Sequence, residues 1–216
     1  MIVDKNYPGL TMDEYGIYRL KGGLVSDDSI VIQLDGALVV SGSIEAGWSI
    51  DAGGFIKADG FIKANGSINA GGSIEAGGFI DAGGSIKAGW SIKAGGSIDA
   101  GGFIKADGSI KADGFIDAGG SIEAGGFIDA GGFIKADGFI DAGGFIKADE
   151  YINTRYWINA GERIIAGSYI SANLRIFAGI STFRVTDNRQ KTIQCHELRN
   201  GEICYGDLVI VGGGKE

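Results

Sequence analysis

Between residues 44 and 176 isoleucine falls on every sixth position, 23 frames in succession without a miss. The repeating unit is Gly-[Ser/Phe]-Ile-[Asp/Glu/Lys]-Ala-[Gly/Asp/Asn], as in Gly54-Phe55-Ile56-Lys57-Ala58-Asp59. Six is no multiple of the 3.6-residue helical period, so an isoleucine at this spacing would wander round a helix. In a strand, with its period of two, isoleucine keeps to one face while Ser/Phe and the charged residue share the other. The pattern predicts a short strand in each hexad, Phe-Ile-Lys-Ala, closed by a two-residue corner. So short a strand cannot bury its isoleucine alone. Coils must stack, each isoleucine on the one beneath, at about 4.8 Å per coil. Leu38 and Ile32 extend the register backwards. The expected fold class is all-β, a single-stranded β-solenoid.

Composition sharpens this picture at the corners. Glycine makes up 41 of 216 residues beside a single proline, Pro8, and it recurs every six residues rather than every three, which excludes collagen. From Ile44 to Ile146 the position three after each hexad isoleucine holds Gly, or else Asp59, Asn65, Asp107, Asp113, Asp137 or Asp149. These residue types tolerate positive φ, so the sequence predicts a left-handed backbone step in every hexad.

The units "GSIEAG" and "GFIDAG" resemble the hexapeptide repeats of the left-handed β-helix over residues 42 to about 178. The resemblance implies a coil of three hexads, 18 residues, and under it 23 hexads make about 7.7 coils, a rod of roughly 37 Å. Trp48 and Trp90 fall at the small inward position of that frame, and a flatter 12-residue coil of two hexads is the competing geometry. Charge gives a test between them. Taken every second hexad, Asp51, Lys63, Glu75, Lys87, Asp99, Lys111, Glu123, Lys135 and Lys147 are opposite in sign at seven of eight steps, which favours the flatter coil, whereas every third hexad alternates less. In the repeat block lysine is followed two residues later by Asp or Asn in six of eight cases, and an acidic residue at the same site by Ala-Gly, so that like charges are kept apart on a solvated face.

Residues 1–37 break the hexad pattern but carry strand-like "YGIYRL" and "DSIVIQL", and read as an N-terminal β cap on the solenoid of residues 38–178. Residues 179–216 read as a C-terminal β cap containing "FRVTD", "KTIQCHEL" and "EICYGDLVIVG", with Asn200-Gly201 expected to turn a hairpin. Across such a hairpin Cys195 and Cys204 would be diagonal neighbours, a poor geometry for a disulfide, so reduced thiols are expected.

A net charge of −8 and pI near 4.7 argue against direct nucleic-acid binding, although an acidic rod could imitate nucleic acid. Against mimicry, residues 43–149 carry 14 acidic side chains and eight lysines, a balanced mixture. No signal peptide and no stretch approaching the roughly 20 apolar residues of a membrane span is visible, so a cytoplasmic or virion-associated protein is expected, with no membrane partner.

Chemistry is sparse. His196 is the one histidine. Hexapeptide acyltransferases use a histidine beside the coil and the related carbonic anhydrases need three for zinc, so the resemblance carries neither activity, and an acyltransferase using His196 stands only as a remote alternative. The aspartates lack the spacing of the calcium-binding nonapeptide repeat, and "GGGKE" lacks the Ser/Thr and the following helix of a phosphate loop. No cofactor or metal site is expected. What remains is outward and aromatic: in a three-hexad coil Phe61, Phe79, Phe115, Phe133, Tyr151 and Tyr169 share one face, interrupted by Ser97, and Trp157 is a further outward ring. Exposed apolar columns of that extent mark contact. The expected function is a non-enzymatic structural or binding protein, presenting these faces to a protein or glycan partner or to its own copy. The repeat is loosely similar to Gly-x-Ile-x-Ala-Gly arrays in uncharacterised bacterial and phage proteins and to bactofilins, which implies a stiff, oligomerising rod or a phage component. The alternative is an acidic mimic that inhibits a DNA-binding enzyme.

Overall fold

From Ile44 to Ile164 each hexad isoleucine opens a three-residue strand, and the strands stack in parallel with an offset of 18 residues, as in Ile44↔Ile62↔Ile80↔Ile98. The structure, a computed structural model, describes residues 1–179 and 191–211; "FRVTD" and "GGGKE" lie outside the described residues. In chain order the strands are β1 (Ile2–Val3), β2 (Leu10–Met12), β3 (Tyr18–Leu20), β4 (Leu24–Ser26), β5 (Ile30–Ile32) and β6 (Leu38–Val40). The strands β7 to β27 follow, one per hexad from Ile44–Ala46 to Ile164–Ala166, and then β28 (Tyr169–Ala178), β29 (Thr192–Cys195), β30 (Glu197–Tyr205) and β31 (Asp207–Ile210). Three hexads complete a coil, so the molecule is a three-faced β-solenoid and the 12-residue coil is excluded. The first face carries β4, β7, β10 and so on to β25, the second β5, β8 to β26, and the third β3, β6, β9 to β27.

The core is the column the sequence announced. Every hexad isoleucine from Ile44 to Ile176 is fully buried, and the alanine two residues on is buried beneath it with few exceptions. Alternation along each strand leaves the residue between them outside, so one strand supplies two core rungs and one outward side chain. Burial of each isoleucine contributes roughly 1.5–3 kcal/mol, and stacking is what makes the burial complete.

The stack already begins inside residues 1–37, because β3, β4 and β5 pair in parallel with β6, β7 and β8. Their offset is 20 residues, as in Ile30↔Ile50, so it is Ile30 that continues the isoleucine column and Ile32 that stands over Ala52. The backward register therefore holds at Leu38 and fails at Ile32. The reason is a two-residue expansion of the corner before Leu38, which tucks Leu34 into the core. β2 folds back antiparallel on β3 and closes this end of the third face.

The corners between Leu24 and Ile176 do not use positive φ. It occurs only at Gly9, Gly16, Gly22, Gly179, Gly201 and Gly206, and at no residue other than glycine, so the expected left-handed step in each hexad is absent among the described residues. Close approach explains the glycines instead. A Cβ on Gly71 would press on the carbonyl oxygen of Gly53 one coil below, and Gly77 stands in the same relation to Asp59. A side chain at this position is accommodated with little change in the inter-coil bond: N–H to O=C is 2.9 Å at Asp59 and 3.0 Å at Asp137, as at Gly77 and Gly71, and 3.3 Å at Asp107.

At the C-terminal end β28 runs straight through a corner and spans two hexads, burying both Ile170 and Ile176. β30 lies parallel along its whole edge, so Asn200-Gly201 sits inside a strand and the expected hairpin does not form. A long unpaired edge outcompetes a two-residue turn, and Gly201 absorbs the register shift with φ +119°. A Cβ there would lie 2.9 Å from the Ile176 side chain. Cys195 and Cys204 are both free, Cys195 buried and Cys204 exposed, and burial pushes the Cys195 thiol pKa up.

Candidate functional site

The residue before each isoleucine faces outward, and its backbone N–H is the one amide the corner leaves out of the inter-coil backbone ladder. The isoleucine amide donates to the next coil, as Ile62 to the Phe79 carbonyl at 3.0 Å, and the corner glycines donate to the coil below, as Gly78 to Gly60 at 3.0 Å. When the outward residue is serine, its Oγ accepts the leftover N–H from the next coil: Phe61 to Ser43 at 3.1 Å, Ser85 to Ser67 at 3.1 Å, Phe115 to Ser97 at 3.2 Å. When it is aromatic, it stacks. The choice between Ser and Phe in this column is thus a choice between a hydrogen bond and a ring contact.

Six of the seven candidate aromatics lie in one column on the first face. Phe61 and Phe79 stack at 4.8 Å with planes 3° apart. Ser97 then leaves a shelf empty of any ring, and Phe115, Phe133, Tyr151 and Tyr169 form a continuous ladder with centroids 4.8–4.9 Å apart. Trp157 belongs to the second face, where it stacks on Phe139 at 4.7 Å. Phe127 and Phe145 make a shorter stack on the third face. Two residues that the aromatic pattern did not single out finish these columns: the Arg199 guanidinium carbon lies 3.7 Å from the Tyr169 ring centroid, and that of Arg163 lies 5.2 Å from Phe145. Arg163 occupies the aromatic position of its own hexad, so its role was readable; Arg199 arrives from β30, and nothing in the repeat signals it.

Trp48 and Trp90 do not point inward. Both project from corners, 67% and 71% exposed, which removes the steric objection to the 18-residue coil.

The charged residues after the isoleucines make parallel columns, and like charges are not kept apart. On the first face the register stacks Asp81 on Asp99 on Asp117. Lys63 pairs with Asp81 at one end and Lys135 with Asp117 at the other, at 3.6 and 3.1 Å, so Asp99 is left without an ion-pair partner among the described residues. Partial burial, followed by the fields of Asp117 and Asp81, raises its pKa. Lys87 stacks on Lys105 on the second face, and Lys93 on Lys111 on the third. The alternation seen every second hexad joins residues on different faces and carries no contact.

The flattened last coil opens a groove of about 750 Å³ lined by Trp157, Asn159, Leu174, Arg175, Phe177 and Glu202. Asn159 Nδ2 donates to Asp141 at 3.1 Å, while its Oδ1 is buried with no hydrogen-bond partner among the described residues. Desolvation raises the Asp141 pKa. His196 is exposed and does not line this groove; its backbone N–H donates to the Ser168 carbonyl at 2.8 Å. Among the described residues no group of three or more His, Cys, Asp or Glu is placed to hold a metal ion. No family model, curated protein or solved structure matches the chain.

Proposed function

We propose that the protein is a non-enzymatic binding and structural rod, a β-solenoid that presents its outward aromatic and charged columns to a protein or glycan partner or to its own copy. The observation that carries this reading is the ladder Phe115–Phe133–Tyr151–Tyr169, an apolar strip held rigid on the outside of a stacked core. The 18-residue coil and the strand in every hexad support kinship with the left-handed hexapeptide β-helices, and a stiff rod of this kind suits a phage or prophage particle as well as the cytoplasm. Interleaved charge weighs against a nucleic-acid mimic: Lys57, Glu75, Lys93, Lys111, Asp129 and Lys147 follow one another up the third face. An acyltransferase centred on His196 has no support from the groove beside Trp157.

The repeat itself supplies the test, because Ser and Phe interchange at the outward position without disturbing the coil. A variant carrying Phe115→Ser, Phe133→Ser and Tyr151→Ser should keep its β circular-dichroism spectrum yet lose both self-association by light scattering and the stoichiometric partner that co-purifies with the unaltered chain. An unaltered chain that is strictly monomeric and without a partner, or a variant that associates as before, overturns the proposal.

A further inference from the structure

The missing rung at Ser97 leaves a shelf with an aromatic ring on either side. Phe79 is one coil below and Phe115 one coil above, since Ile80, Ile98 and Ile116 are in direct register. With rungs 4.8 Å apart, the two rings are separated by twice that spacing, about 9.6 Å, and a flat group on the shelf would lie about 4.8 Å from each. Phe79 is 40% exposed where a stacked partner is lacking. The floor is closed in a specific way: the Ser97 Oγ accepts the Phe115 N–H at 3.2 Å, which leaves its own O–H free to donate.

Along the same strand, two residues on and on the same outward side, runs the aspartate stack Asp81–Asp99–Asp117. Its two ends are neutralised by Lys63 and Lys135, and the carboxylate beside the empty shelf is the unpaired one. An occupant of this shelf must therefore be flat, to enter between two rings, and cationic, to pair with Asp99. The molecule's own ladders show which group meets both demands: Arg199 covers Tyr169 and Arg163 covers Phe145 by laying a guanidinium on the ring. A guanidinium stacks on aromatic faces and presents in-plane N–H donors to a carboxylate, which an ammonium cannot do.

A second ringless shelf, at Ser121 between Phe103 and Phe139, serves as an internal contrast. There the flanking carboxylate, Glu123, is already held by Lys105 at 2.6 Å. The geometry of a gap is shared; the unpaired charge is not.

We propose that the Ser97 shelf, walled by Phe79 and Phe115 and flanked by Asp99, is a binding site for an arginine side chain of a protein partner. The proposal deepens the binding-rod reading by naming the chemistry that one face selects.

The probe is N-acetyl-arginine amide, titrated into the isotope-labelled full chain and followed by NMR at the backbone amides of Ser97, Asp99 and Phe115. Saturable shifts at these amides are expected, with a dissociation constant on the order of millimolar for so small a ligand. N-acetyl-lysine amide should bind several-fold more weakly. Ser97→Phe fills the shelf with a ring that continues the ladder and should abolish the shifts at Asp99 and Phe115; Asp99→Asn should weaken binding roughly fivefold. Ser121→Phe should change nothing. Absence of saturable shifts in the unaltered chain, equal response to the lysine probe, or binding that survives Ser97→Phe overturns the proposal. A chain that fails here but still loses its partner through the Phe115/Phe133/Tyr151 variant would retain the binding-rod function without this site.

Discussion

The N–H of Phe103 donates to the Oγ of Ser85, 18 residues earlier, at 3.1 Å. That bond joins two coils at the point where the corner has no carbonyl to offer. It explains why the outward position alternates between two residues so unlike each other. Serine satisfies the amide of the next coil, and phenylalanine forgoes that bond for a ring contact with whatever stands above or below.

Loss of one such bond should therefore be measurable without damage to the core. Ser91 Oγ accepts the Ser109 N–H, and Ser91 N–H donates to Ser73 Oγ, each at 3.2 Å. Ser91→Ala keeps the second bond and removes the first, so it should cost about 1 kcal/mol in urea denaturation, with an unchanged circular-dichroism spectrum. An equal cost for Ser121→Ala is expected, because Ser121 Oγ accepts the Phe139 N–H in the same way.

The core makes a larger demand. Ile110 is fully buried, in register between Ile92 and Ile128, within the one hydrophobic core that the three faces share. Ile110→Ala should cost about 2–5 kcal/mol and Ile110→Val about 0.5–1.5 kcal/mol, since flanking β-branched rungs leave little room to collapse into the cavity. Ile2→Ala, at a 59% exposed position of the first strand, should cost far less. Chemical denaturation of the three variants checks the order.

How much of this was legible follows from the physics of each feature. The isoleucine column and the outward ladder were, because period-two alternation fixes the side of every residue once the strand is assigned, and Phe115 and Tyr151 sit where that rule puts them. Coil size was not readable from charge. Exposed neighbours such as Asp81 and Asp99 interact weakly through water, so their sign pattern is only loosely constrained and alternation every second hexad arose without a contact. The corners misled for a different reason: glycine serves both positive φ and close approach, and Gly71 is present for the second. Asn200-Gly201 carries a strong local turn signal, yet the ten-residue edge of β28 overrode it. The Ser97 shelf becomes visible only when the register shows which rings lie above and below it.

The aspartate stack makes stability depend on pH in a definite direction. The Asp99 pKa is raised, so the folded chain holds that proton more tightly than the unfolded chain does. The stability it contributes is fully present below the ordinary aspartate value and is lost as pH rises through the raised value. Asp99→Asn should accordingly stabilise the protein at pH 7, by about 0.2–1 kcal/mol for removal of an exposed like-charge contact. The advantage should shrink as pH falls through the raised value. Denaturation midpoints of the two chains across that range check it, and an advantage that does not vary with pH would place the effect elsewhere than in the charge.

The N-terminal end should respond to acid in the opposite sense. Asp35 accepts the Tyr18 O–H at 2.7 Å and pairs with Lys5 at 2.9 Å, tying β3 and the chain after β1 to the expanded corner before Leu38. The Lys5 hydrogen bond, then that of Tyr18, lowers the Asp35 pKa from 3.8 to about 2. A depressed carboxylate stabilises the fold above its ordinary pKa, and that contribution disappears as pH falls through the depressed one. Between pH 3.8 and about 2 the first coil should therefore loosen, while the buried isoleucine column holds the central coils. Amide hydrogen exchange resolves this by position: protection at Tyr18 and Leu38 should fall in that window and protection at Ile110 should persist. Asp35→Asn should show the reduced protection at Tyr18 already at pH 7 and lose its pH dependence there. Uniform loss of protection along the rod would show instead that the first coil opens only with the whole.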